Sequence, residues 1–224
     1  AKTDAGNDWA PFIAHKGEIV GLAGLAAHGQ TRMLLKIYDA AMRGRKSSTV
    51  AGPVALVAGD RQTDGVFHLW SISRNIGIRS LRGMVRRGLI DPVAEAAMGR
   101  EWQDRIKIKT PDMNDNILSL SGGNQQKVLL AKIMLAEPQI VIIDEPTRGI
   151  DVGSKSEIHN LIRDLAAQGY AVVVISSEMP EVLHVSDRIV AMYHGRIMRT
   201  FTSDEVTEDN LIQAISGING EKVA

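Results

Sequence analysis

The sequence predicts an α/β protein built on a mostly parallel sheet, and three observations carry that prediction. Short apolar runs alternate with stretches of helical periodicity over most of the chain. A Gly-rich turn joins the first run to the first helix, and the run Ile140-Val141-Ile142-Ile143 ends in two carboxylates, Asp144 and Glu145. Strands that alternate with helices pair in parallel and are covered on both faces, and they leave ligands to the carboxyl ends of the strands.

The elements follow in order. Gly17-Glu18-Ile19-Val20-Gly21-Leu22-Ala23 reads as a short buried strand, and residues 31–41 place apolar side chains at helical spacing. Residues 54–58 form a second apolar strand, after which Asp60-Arg61-Gln62-Thr63-Asp64-Gly65 has the composition of a loop. From 71 to about 117 the pattern is helical, with interruptions expected at Gly77, Gly83, Gly88 and Pro92. A helix is expected over 124–136, stopping before Glu137-Pro138, then a strand over 139–143. Residues 153–168 are helical, 171–175 a strand, and 178–185 a short helix behind a Ser-Ser cap. Residues 188–193 and 196–200 flank His194-Gly195 as a terminal hairpin.

Two stretches carry phosphate chemistry. Gly24-Leu25-Ala26-Ala27-His28-Gly29-Gln30-Thr31 has the spacing of a phosphate-binding P-loop, with a hydroxyl for magnesium at Thr31, but Gln30 stands where that pattern has lysine. Backbone N–H groups and a helix N-terminus remain to bind phosphate, so the loop is expected to bind weakly. His28 and Arg32 are the two candidates to replace the lysine's charge, although a loop histidine and a first-turn arginine are more often solvated. In Leu120-Ser121-Gly122-Gly123-Asn124-Gln125-Gln126 the serine and glycines open a helix, where unpaired N–H groups and the positive dipole end suit an anion. The apolar strand ending in Asp144-Glu145 is the matching half: Asp144 for a hydrated magnesium ion, Glu145 to orient and deprotonate water.

These stretches resemble the nucleotide-binding domain of an ATP-binding cassette (ABC) transporter, and more narrowly the second cassette of the fused ATPase subunits of bacterial sugar importers. Leu120 to His159, Val174 to Met192 and Gly17 to Leu34 carry the likeness. It implies one ABC ATPase domain over 1–224, with a RecA-like core at about 1–65 and 119–224 and a helical lobe at about 66–118. It also implies ATP and Mg2+ as cofactors. In that family two cassettes pack head to tail, and each ATP lies between the P-loop of one and the signature of the other. By resemblance, Gly24, Ala26, Ala27, Gly29, Gln30, Thr31 and Asp144 serve this chain's own site, with Thr31 and Asp144 on the metal and Glu145 catalytic. Ser121, Gly122 and Gly123 are the signature offered to the partner.

Two further positions depart from the family: Ser177 stands in place of its histidine, and Gly59 in place of the glutamine or glutamate before Asp60. The defects gather on one site, so the chain reads as the degenerate partner of a better P-loop elsewhere. The resemblance implies as partners a second cassette in the same full-length polypeptide, transmembrane permease subunits, and indirectly a periplasmic sugar-binding protein. The implied location is the cytoplasmic face of the inner membrane. A regulatory cassette that binds nucleotide without hydrolysing it is the alternative.

Composition narrows the field. With 26 basic and 26 acidic residues the formal net charge is zero, so no global field argues for nucleic acid, and none is expected as a partner. The chain has no cysteine, which excludes disulfides and thiolate chemistry. Its apolar runs are too short to span a bilayer. A related chromosome-organising ATPase would require a long coiled coil between P-loop and signature, and that interval lacks sustained heptads. The start, Ala1-Lys2-Thr3-Asp4, reads as that of a fragment. Arg74, Arg79, Arg82, Arg86 and Arg87 form either a solvated helical face or a docking surface for a membrane subunit.

Overall fold

The first apolar run becomes the strand around which the sheet assembles. In the computed structural model, which describes residues 12–25, 29–42, 52–86 and 88–217, β1 (Ile19–Ala23) is buried at every residue. It pairs in parallel with β6 (Ala171–Ile175) on one side and β7 (Arg188–Tyr193) on the other. β5 (Ile140–Asp144) runs parallel to β6. β2 (Val54–Val57) lies beyond β5, and β8 (Arg196–Thr202) closes the far edge antiparallel to β7, in the order β2-β5-β6-β1-β7-β8. The sheet is therefore mostly parallel, as the alternation predicts.

Residues on successive positions of a strand face opposite ways, and both faces are used. Val20, Leu22, Val190 and Met192 pack with Met33 and Leu34 of α1 (Gln30–Met42). Ala23, Ile189 and Ala191 pack instead with Val182 of α7 (Met179–Val185), and with Leu211 and Ile215 of α8 (Glu208–Ile215). Polar groups fix the amino edge: Asp187 accepts from the Ile19 N–H at 2.8 Å, and Arg188 clasps Glu18 through Nε at 2.7 Å and Nη2 at 3.0 Å.

Residue contacts divide the chain into two compact units, one from 1–56, 139–146 and 162–224, the other from 57–138 and 147–161. The first holds the sheet. The second takes in the whole segment 66–118 and also α5 (Gly122–Met134) and the first part of α6 (Val152–Ala167).

Within the second unit the helical pattern after 71 resolves into α2 (Ile72–Gly77), α3 (Leu81–Met84) and α4 (Pro92–Ile106). A small hairpin, β3 (Val85–Arg86) with β4 (Leu89–Ile90), interrupts them. Two expected breaks lie elsewhere. Gly83 sits inside α3, and Pro92 starts a helix, where its missing N–H costs nothing and Asp91 accepts from Val93 and Ala94. α4 ends at Lys107, which takes the left-handed conformation usual after a helix. Residues 61–65 form a π-helical turn where a loop is expected, because Asp60 accepts from the Gln62 and Thr63 N–H groups. α5 begins at Gly122, two residues before the predicted start, and it is buried on nearly all sides. Two of the exposed arginines spend charge locally, Arg74 on Glu95 at 3.6 Å and Arg86 on Asp91 at 3.2 Å.

Candidate functional site

Parallel pairing brings three strand ends to one edge of the first unit. Asp144 is in register with Ile175, and Ile175 with Leu22. Two strand spacings thus separate Asp144 from the end of β1, roughly 10 Å. Gly24 follows β1 directly. A Cβ on Gly24 would lie 2.2 Å from the Gln30 amide nitrogen and 2.9 Å from the Met192 carbonyl, so only glycine fits. Gly29 has φ +98°, a conformation that glycine adopts without strain, and approaches Gly195 of the β7–β8 turn. Ala26 and Ala27 lie outside the described residues.

Gln30 is the first residue of α1, and it is buried. Its amide donates to the Leu25 carbonyl at 3.3 Å. The Gln30 side chain therefore turns back onto the loop and bonds its backbone. Thr31, next in the helix, is exposed. The Thr31 hydroxyl at the first turn of α1 and the Asp144 carboxylate at the end of β5 are hard oxygen donors of the kind magnesium prefers.

Glu145 follows the strand with φ +49°. Its N–H donates to the Ile175 carbonyl at 2.8 Å, which turns the chain out of the sheet. Both carboxylate oxygens are held by Ser177: the backbone N–H donates to Oε1 at 2.8 Å, and the hydroxyl to Oε2 at 3.0 Å. Burial raises its pKa above the usual carboxylate range, the two Ser177 bonds oppose that, and Asp144 and Glu181 add to it. Ser177 was expected only as a missing histidine; the structure makes it the residue that orients Glu145. The preceding serine also differs from expectation, since Ser176 Oγ accepts from the Glu178 N–H while α7 starts at Met179 with no side-chain cap bond.

The second unit holds the serine-glycine helix start. Ser121 precedes α5, and its side chain makes no capping bond. Instead its Oγ accepts from the Asn124 amide at 3.0 Å, which leaves the hydroxyl hydrogen to donate. The first helical bond runs from the Gln125 N–H to the Ser121 carbonyl at 2.9 Å. The N–H groups of Gly122, Gly123 and Asn124 therefore project from the helix end. Gly123 has no room for a side chain, since a Cβ would lie 2.7 Å from Ser154 Cβ. Asn124 Oδ1 accepts from the Lys109 N–H at 2.9 Å. One turn on, buried Lys127 donates to Glu157 at 2.7 Å and to the Lys107 carbonyl at 2.9 Å. Lys109 meets the same carboxylate at 2.8 Å, and the two lysines hold the Glu157 pKa down to about 2. A lysine in a helix buried on nearly all sides needs a partner, but the sequence does not say which.

A Gly-rich turn into a helix, an acid pair and a serine-glycine helix start on an α/β core define a nucleotide-binding protein of the P-loop class. Residues 11–148 match the ABC transporter family, and the chain belongs to it. It is 41% identical over 220 residues to the ribose import ATP-binding protein RbsA 2 of Streptomyces avermitilis, covering 92% of this chain and 44% of that protein. It is 38% identical over 221 residues to the xylose import ATP-binding protein XylG of Moorella thermoacetica, with the same coverages. The chain thus spans less than half the length of the relatives it matches. An inward-facing putative metal-chelate type ABC transporter shares the fold at TM-score 0.72 and 19% identity, over 90% of this chain and 78% of that one. So does a dimeric bacterial ABC transporter cassette, at 0.67 and 20%, over 86% and 88%.

Proposed function

We propose that this chain is the degenerate ATP-binding cassette of a monosaccharide importer, and that its main catalytic contribution is to complete the ATP site of a partner cassette. The observation that carries this reading is the contrast between its two halves. At the signature, Ser121 keeps a hydroxyl hydrogen to donate, and the amides of Gly122 and Gly123 precede the first helical bond of α5. At the P-loop, Gln30 spends its amide on Leu25 and brings no charge.

In the proposed arrangement Ser121, Gly122 and Gly123 donate to the phosphates of an ATP held by the partner's P-loop. Donors set in place before reaction stabilise charge that develops in the transition state. At the chain's own site, Gly24, Gly29 and the start of α1 would bind phosphate, and Thr31 with Asp144 would hold Mg2+. The ion would neutralise phosphate charge. Glu145 would orient the attacking water, with Ser177 fixing its carboxylate. Exposed Phe67, Leu69 and Leu118 in the second unit suit contact with a permease subunit at the cytoplasmic face of the membrane. The relatives' ribose and xylose import supports a sugar as cargo. A cassette that binds nucleotide without turning it over at this site is a second reading, favoured by Gln30.

The test is steady-state ATP hydrolysis by the complete two-cassette protein with its permease. Gly122→Asp or Ser121→Ala should cut turnover by about 10² or more, as loss of preorganised contacts does. Glu145→Gln should cost much less. Abolished turnover in Glu145→Gln with near-normal signature variants would reverse the assignment of the two sites.

A further inference from the structure

We infer that Arg61 is a positioning residue for the signature turn: its guanidinium fork holds the loop at Arg148-Gly149 against the start of α5. The inference rests on the proposed role of the signature in hydrolysis at the partner's site.

Arg61 opens the π-helical turn that Asp60 caps, bonding Gln62 N at 3.0 Å and Thr63 N at 3.3 Å. Its Nη1 donates to the Arg148 carbonyl and its Nη2 to the Gly149 carbonyl at 2.9 Å, while Nε reaches Gln125 Oε1 at 3.4 Å. One planar group thus ties three segments together. Buried Gln125 extends the tie: its Oε1 also accepts from Gln62 Nε2 at 3.0 Å, and its Nε2 donates to the Leu120 carbonyl at 3.1 Å, one residue before Ser121. Gly122 lies under the fork. A Cβ there would come within 2.8 Å of Arg61 Nη2 and 2.9 Å of the Gly149 carbonyl. The glycine is therefore needed for closure of this cluster as well as for an exposed amide.

All three acceptors are neutral. Among the described residues no carboxylate pairs with Arg61; neighbouring Asp60 acts on it only through space. The guanidinium is half-buried, and withdrawing part of it from water without an ion pair carries a cost. What repays it here is the fork, whose fixed in-plane donors match two successive carbonyls and an amide. A lysine ammonium is a point donor and cannot span them. Misplacing signature donors by about 1 Å is enough to cost on the order of 10²-fold in rate.

The experiment uses the complete protein in its transporter, with ATP as substrate, and compares Arg61→Lys and Arg61→Met with Gly122→Asp. Assays run well below each variant's unfolding midpoint separate loss of turnover from loss of fold. Both arginine variants should lower kcat about tenfold or more, with the KM for ATP within about twofold of wild type, because the nucleotide is held by the partner's P-loop. Wild-type kcat in Arg61→Lys would overturn the inference, since charge without the fork would then suffice. A raised KM at unchanged kcat would overturn it as well. If Gly122→Asp itself leaves hydrolysis intact, the signature assignment is what fails; if it abolishes hydrolysis while both arginine variants are indifferent, only the role of Arg61 falls.

Discussion

Glu145 pays for its position, and the cost is visible in its protonation. With its pKa raised in the folded chain, the native state binds more protons than the unfolded state between the ordinary value of 4.5 and the raised one. The stability this contributes is full below about 4.5 and is lost as pH rises through the folded value. Glu145→Gln should therefore raise the thermal midpoint at pH 7, and the gain should vanish by pH 3.5. Calorimetry across that range checks it; a gain undiminished at pH 3.5 would mean that the charge is not the cause. At Gln30 the cost is to binding. A lysine there would restore a charge-assisted phosphate contact of about 1.5–3 kcal/mol, so Gln30→Lys should tighten Mg-ATP binding by roughly ten- to a hundredfold in titration calorimetry. Unchanged affinity would show that the loop does not contact phosphate.

At the scale of elements, α5 is the segment on which the second unit depends. It is buried on nearly all sides, so its most buried cation, Lys127, has to be met, and Glu157 of α6 meets it. Because Lys109 and Lys127 hold the Glu157 pKa down to about 2 from 4.5, the ionised form stabilises the fold. That contribution is complete above about 4.5 and is lost as pH falls through about 2. Glu157→Gln should lower the urea midpoint at pH 7, by an amount equivalent to ~1 kcal/mol because the carboxylate is partly exposed, and the difference from wild type should close as the pH approaches 2. An acid-independent difference would assign the loss to packing instead. The helical period of α1, α4, α5 and α6 was legible from the sequence. The hairpin within the second unit was not, since four residues carry too little periodicity to separate strand from helix.

For the whole molecule, the chain spans less than half of its relatives, and the proposed chemistry needs the rest. The isolated chain should hydrolyse ATP at about 1% or less of the rate of the complete protein, because neither a charged P-loop nor a partner signature is present. Phosphate release measured on both decides this, and comparable rates would show that the chain holds a competent site of its own.

The sequence by itself determined the α/β class, the parallel order implied by alternation, and the places of the acid pair and the serine-glycine helix start. Those are local signals, readable from apolar period, glycine spacing and strand-end carboxylates within a few residues of one another. The tertiary structure alone decided how these groups are held. Ser177 reaches Glu145 across 32 positions, and Arg61 reaches Gly149 across 88. Such contacts depend on strand order, on a left-handed turn at Glu145 and on the close approach that Gly122 permits. No local pattern encodes them, because each is made by packing between segments that the sequence keeps far apart.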